Sequence, residues 1–213
     1  MNHETITSAL NWRYATKNFD TAKKISEKDW KTLEDSLVKS PSSFGLQPWK
    51  FLVIQTPSLR ETLKPLTWGQ SQVTDASHYV VFTALDTMDT KYIDMYLQRM
   101  AEVRKISLDS LKGYRDAIIG NLIDGPRAKT IQHWSDRQAY IAMGFLMETA
   151  ALIGVDACPI EGLDPVQYDE VLQLKSSGYH TIAAVALGYR ASTDKYASTP
   201  KVRFETSKVI SYL

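Results

Sequence analysis

The stretch from Gln138 to Ile153 constrains the fold of this chain more than any other. Ile141, Met143, Phe145, Leu146, Ala150 and Leu152 spread apolar groups nearly all round a helix. Such a helix has no polar face to leave in water, so the chain's own core or a second subunit must cover every side of it. Three short apolar runs are the candidates to lie against it. Phe51 to Ile54 (within residues 50–55), Tyr79 to Leu85 and Thr181 to Leu187 are continuous enough to be buried strands. Long helical stretches lie between these runs, which predicts non-adjacent, partly parallel pairing. Strands separated by helices place the chain in the α+β or α/β class.

The remaining elements follow from spacing and caps. Residues 3–12 read as a first helix, with Ile6, Ala9 and Leu10 on one stripe. Ser26 with Asp29 three residues on is a capping-box start for a helix that runs to about Lys39, and Pro41 stops it. Pro57 opens a short helix. Tyr92, Met95, Tyr96, Met100 and Val103 mark another over 89–104, and Leu108, Leu111, Ile118, Ile119 and Leu122 repeat the spacing until Gly125-Pro126 breaks it. Asp164-Pro165 caps a helix ending near Leu174. Residues 190–213 have little periodicity and read as an arm. With no linker or repeat, the 213 residues are expected to form a single domain.

Charge and motif content exclude several functions. With 25 basic against 24 acidic side chains there is no basic excess for nucleic acid. The only cysteine, Cys158, permits no intramolecular disulfide, and the N-terminus is polar, so a soluble cytoplasmic protein is expected, with no membrane partner. There is no G-x-G-x-x-G after a strand, no P-loop and no G-x-S-x-G. His3, His78, His133 and His180 stand singly, which argues against a metal site. Cys158 reads better as a small buried hydrophobe than as a nucleophile, and Trp134 and Phe44 read as core or as pocket walls.

What is left is a set of separated segments. Arg13 and Lys17 share one segment after the first helix, and Lys201 and Arg203 project alike from an extended chain, so both pairs are candidates to hold a phosphate. Pro41-Ser42-Ser43-Phe44-Gly45 offers hydroxyls and backbone N–H groups between a helix and a strand. Pro159-Ile160-Glu161-Gly162 brings a glycine where backbone can approach a ligand closely. Each is also readable as solvated surface or as an ordinary connector.

Taken in order, R-x-x-T-K-x-F at Arg13 to Phe19, P-S-S-x-x-x-Q-P-W at Pro41 to Trp49 and P-I-E-G at Pro159 to Gly162 resemble the nitroreductase family of FMN-dependent NAD(P)H oxidoreductases, including its dihydropteridine-reductase-like members. The resemblance implies a mixed central sheet wrapped by helices in an intertwined homodimer. It implies FMN as bound cofactor, NADH or NADPH as reductant, and nitroaromatic or quinone-type acceptors reduced in ping-pong fashion through flavin N5. By that resemblance Arg13, Lys201 and Arg203 hold the phosphate, Lys17 reaches the N1–C2=O side of the ring, and Tyr14 and Ala15 touch it through backbone. Pro41, Ser42, Ser43 and Gly45 come from the partner subunit. Pro159 and Ile160 lead into Glu161 and Gly162, whose N–H groups face N5 and O4, and Gln72 lies along the pyrimidine edge. The C-terminal arm crosses to the other subunit. Two positions depart from well-known bacterial members: Gly45-Leu46 replaces Asn-Ser, and Gln72 replaces a lysine. A flavin reductase of the same fold, or a non-enzymatic flavin-binding protein, fits the same residues.

Overall fold

The computed structural model describes residues 2–213. Helix α1 (His3–Trp12) starts at Asn2, whose side chain accepts from the Thr5 N–H. Helix α2 (Glu27–Val38) starts at Ser26, which accepts from the Asp29 N–H at 3.1 Å and donates to its carboxylate at 2.7 Å. Then come β1 (Trp49–Val53), α3 (Pro57–Leu63), α4 (Gln72–Asp75), β2 (His78–Leu85), α5 (Thr90–Arg104), α6 (Lys112–Leu122), α7 (Ile131–Leu152), β3 (Asp156–Ile160), α8 (Pro165–Val171), β4 (Tyr179–Gly188) and α9 (Thr206–Val209).

The sheet order is β1-β2-β4-β3, and all three pairings are antiparallel. The expectation of partly parallel pairing between the strands is therefore wrong; among the described residues the one parallel contact is an isolated bridge between Ala15 and Ala157, outside the strand pairs. The apolar runs are continuous for a different reason: both faces of an antiparallel sheet are covered. Val80, Phe82, Ala84, Val185 and Leu187 pack with α2 and α7. Tyr79, Val81, Ala184 and Ala186 alternate onto the opposite face with Leu63, Val73 and Tyr168, from α3, α4 and α8.

Two elements differ from the sequence reading. Strand β3 was hidden by Pro159, which reads as a breaker; β3 is an edge strand, where a missing N–H is tolerated. Pro159 and Ile160 therefore belong to a strand rather than a turn. Helix α7 begins about two turns earlier than its apolar stretch, because Ile131, Trp134 and Gln138 continue the helical spacing. Trp134 is buried among Leu46, Leu85, Ile118 and Leu122, a core residue. Inward, Ala139, Ala142, Met143, Leu146 and Ala150 of α7 are buried in the core on that face. Outward, Tyr140, Ile141 and Phe145 stay 38%, 40% and 47% exposed, so one chain covers only one side of this helix. No helix among the described residues is long and apolar enough to cross a membrane.

Candidate active site

A cavity of about 410 Å³ joins the two ends of the chain, within the size range of small-molecule sites. Arg13, Tyr14, Ala15 and Lys17 line one side, and Tyr196, Thr199, Lys201 and Arg203 the other. Four separate anchors hold these segments together. The Thr16 N–H donates to the Ala157 carbonyl at 3.3 Å, which ties the N-terminal segment to β3. Asp194, buried, accepts from the N–H groups of Lys17 at 2.7 Å and Asn18 at 3.0 Å, and so fixes the direction of that segment from the C-terminal side. Asp156, 3% exposed, accepts from the Arg190 backbone at 2.8 Å and its Nε at 2.7 Å. The Arg190 guanidinium in turn lies over the rings of Trp12 at 4.2 Å and Tyr14 at 4.6 Å. Asp156, Arg190 and Asp194 were missed in the sequence because isolated acids and arginines in an aperiodic arm carry no pattern.

The electrostatics of the cavity are one-sided. Among the described residues no ion pair includes Arg13, Lys17, Lys201 or Arg203. The Lys201 ammonium donates to the carbonyls of Leu10 and, at 2.6 Å, Arg13. It thus caps the C-terminal end of α1, where a cation is favoured, and one of its three N–H donors is left over. Burial, then the charges of Arg13 and Arg203, hold the Lys201 pKa below the ordinary lysine value. Burial and the neighbouring Asp194 carboxylate push the Tyr14 hydroxyl up to about 12, so it stays protonated.

Lys17 carries the cavity toward β3, with Nζ 4.0 Å from the Cys158 sulfur. Gln72 is buried as well, and its side-chain amide favours the ionised form of the same thiol. Burial raises the Cys158 pKa despite the opposing charge of Lys17, so the thiol is an inert packing group.

Beyond β3 the chain turns, and Leu163 N–H donates to the Glu161 carbonyl at 2.8 Å. Gln70 Nε2 donates to the Gly162 carbonyl at 3.2 Å. A Cβ on Gly162 would lie 2.7 Å from the exposed Trp68 ring, so any other residue would have to push that ring aside. Among the described residues neither the Glu161 nor the Gly162 N–H has an acceptor. Two adjacent donors therefore stand free at the end of an edge strand.

Residues 41–45 do not reach this cavity within one chain. Ser42 Oγ accepts from Gln47 N–H at 2.9 Å, and Ser43 N–H donates to Gln138 at 2.9 Å. Gly45 has φ +71° and faces the Tyr96 hydroxyl, which a Cβ there would push aside. Phe44 packs edge-on against Tyr114 with ring centres 6.2 Å apart.

The Nitroreductase family pattern matches residues 10–189. The chain belongs to the nitroreductase family. YfkO of Bacillus subtilis (strain 168), provisionally named an NAD(P)H nitroreductase, is 37% identical over 98% of this chain and 97% of its own. Among solved structures, a nitroreductase-like protein of Streptococcus mutans aligns with a TM-score of 0.83 at 20% identity over 100% of both chains. A protein of Exiguobacterium sibiricum, provisionally named a nitroreductase and solved in complex with FMN, aligns with a TM-score of 0.80 at 24% identity over 100% of this chain and 98% of its own. The helix-wrapped sheet described above is thus the nitroreductase fold.

Proposed function

We propose that this chain is an FMN-dependent NAD(P)H oxidoreductase that reduces nitroaromatic or quinone-type acceptors. The observation that carries the reading is the cavity in which Arg13, Lys201 and Arg203 crowd together with no acidic partner among the described residues. A dianionic phosphate relieves that crowding, and Arg presents a fork suited to it. Arg13, Lys201 and Arg203 would hold the phosphate, with Tyr14 and Ala15 lining the passage toward Lys17. Lys17 would place positive charge beside the ring, where negative charge collects, and Gln72 would hydrogen-bond nearby without adding charge. The free N–H groups of Glu161 and Gly162 would orient the far edge of the ring. When bound, the flavin supplies the hydride chemistry, so no acid–base pair is demanded of the protein.

The family membership, the FMN found with a protein of this fold and the naming of YfkO all support this reading. We further propose a homodimer. The exposed Tyr140, Ile141 and Phe145 border a groove of about 510 Å³ on α7, an apolar face that a second copy would cover. In such a dimer Pro41, Ser42, Ser43 and Gly45 would serve the partner's cavity. The arm from 204, with Phe204 and Tyr212 exposed, would reach across.

Purification tests the function. The protein is expected to be yellow, to bleach anaerobically with NADH or NADPH, and to recolour when a nitroaromatic or quinone is added. Bleaching followed by recolouring with free flavin alone would favour a flavin reductase. A colourless protein that takes up no FMN would exclude the reading.

A further inference from the structure

The turn after β3 is gripped from two sides, and one grip has no role in packing the core. On the inner side the Gly162 carbonyl takes the Gln70 amide, and the Asp164 N–H donates to the Leu66 carbonyl at 2.9 Å. On the outer side the Tyr140 hydroxyl donates to the Glu161 carboxylate, across 21 residues of sequence. Tyr140 stands on the outward face of α7, beside Ile141 and away from the buried stripe. Its ring therefore adds little to the core, and its hydroxyl meets the residue whose own N–H is left without an acceptor.

We propose that Tyr140 is a positioning residue: by holding the Glu161 carboxylate it fixes the direction in which the Glu161 and Gly162 N–H groups point. The proposal deepens the flavin reading above and rests on it. A backbone turn with two free donors has no ladder partner to set its dihedral angles. Without an outer tether, rotation about the Glu161 peptide would spread both N–H directions. The hydrogen bond to a charged acceptor is of the stronger kind. Burial, and then the Glu161 carboxylate, raise the Tyr140 pKa, so the hydroxyl remains a donor throughout the physiological range. The tether also joins the turn to the helix face that a second subunit would cover, which links assembly to the shape of the site.

The test uses Tyr140→Phe, Glu161→Gln and the double variant, with two readouts. In flavin-free protein, the backbone 15N order parameters of Glu161 and Gly162, which report how tightly their free N–H directions are held, should fall from about 0.85 to below about 0.6 in Tyr140→Phe. In loaded protein, FMN dissociation constants should rise about tenfold, the loss expected of one charge-assisted bond. The two-electron potential should move by about 30 mV if the loss falls on one oxidation state alone. The double variant should be no worse than Tyr140→Phe alone, because Glu161→Gln only removes the charge from a bond that Tyr140→Phe already abolishes. Unchanged order parameters in Tyr140→Phe, or additive effects in the double variant, would overturn the proposal whatever FMN does. Failure of the wild-type protein to take up FMN would instead overturn the flavin reading, while the order parameters still decide the tether.

Discussion

Replacing Arg13 by Ala isolates the charge that the proposed site depends on most. Lys201 already gives two of its donors to the Leu10 and Arg13 carbonyls, so it approaches a phosphate with one. Arg13 lines the same cavity, has no acidic partner among the described residues, and can offer its guanidinium undivided. A charge-assisted hydrogen bond is worth about 1.5–3 kcal/mol, which corresponds to a loss of FMN affinity of roughly 10- to 150-fold. The flavin-free protein should behave oppositely. Removing one of three crowded cations relieves repulsion on Lys201, so thermal stability should hold or rise slightly. Quenching of FMN fluorescence by the apo-protein gives the affinity, and a melting curve gives the stability. Lys201→Ala is the contrast: it should weaken FMN and also destabilise the apo-protein, because α1 loses its C-terminal cation, worth about 0.3–1 kcal/mol. An Arg13→Ala protein that binds FMN as tightly as wild type, or that melts several degrees lower without flavin, would refute the reasoning.

Three other outcomes follow from the same geometry. His180 is bridged at 2.8 Å by Asp86 on one ring nitrogen and at 2.8 Å by Asp136 on the other. Burial disfavours its charge, but the two carboxylates prevail and raise its pKa. The stabilisation is therefore full below the unfolded histidine value of about 6.5 and is lost as pH rises through the higher folded value. Wild type should show a falling melting temperature over that window, and His180→Gln should flatten it. Asp156→Asn leaves the Arg190 guanidinium without its buried partner and should cost about 3 kcal/mol in urea unfolding, with faster exchange along residues 13–18; a loss under about 1 kcal/mol would remove Asp156 from its anchoring role. Ile141→Glu together with Phe145→Asp should convert a dimer to a monomer in sedimentation, and a dimer that survives both changes would place the interface elsewhere.

Patterned elements were the ones legible in the sequence. Ser26 with Asp29 and Asp164-Pro165 both announce helix starts through chemistry confined to four residues, and each caps as expected. Strand pairing is not local. Continuous apolar runs report burial on both faces, and an antiparallel sheet with helices on both sides meets that as well as a parallel one. Pro159 masked β3 because sequence alone does not distinguish an edge from a centre. The candidate site divides in the same way. Arg13, Lys17, Lys201 and Arg203 were singled out by their residue types and by resemblance, and the fold brings all four to one cavity. The residues that hold the cavity's walls together, Asp156, Arg190 and Asp194, act across more than 30 positions and leave no trace in spacing. Lys201 shows the limit most plainly, since nothing in its neighbourhood foretells that it caps the helix α1.

The most direct measurement is a crystal structure of the protein loaded with FMN. We expect the phosphate to lie among Arg13, Lys201 and Arg203, and the ring to run past Lys17 toward the Glu161 and Gly162 N–H groups. Flavin bound at any other surface, with the 13–17 and 201–203 segments left facing solvent, would contradict it.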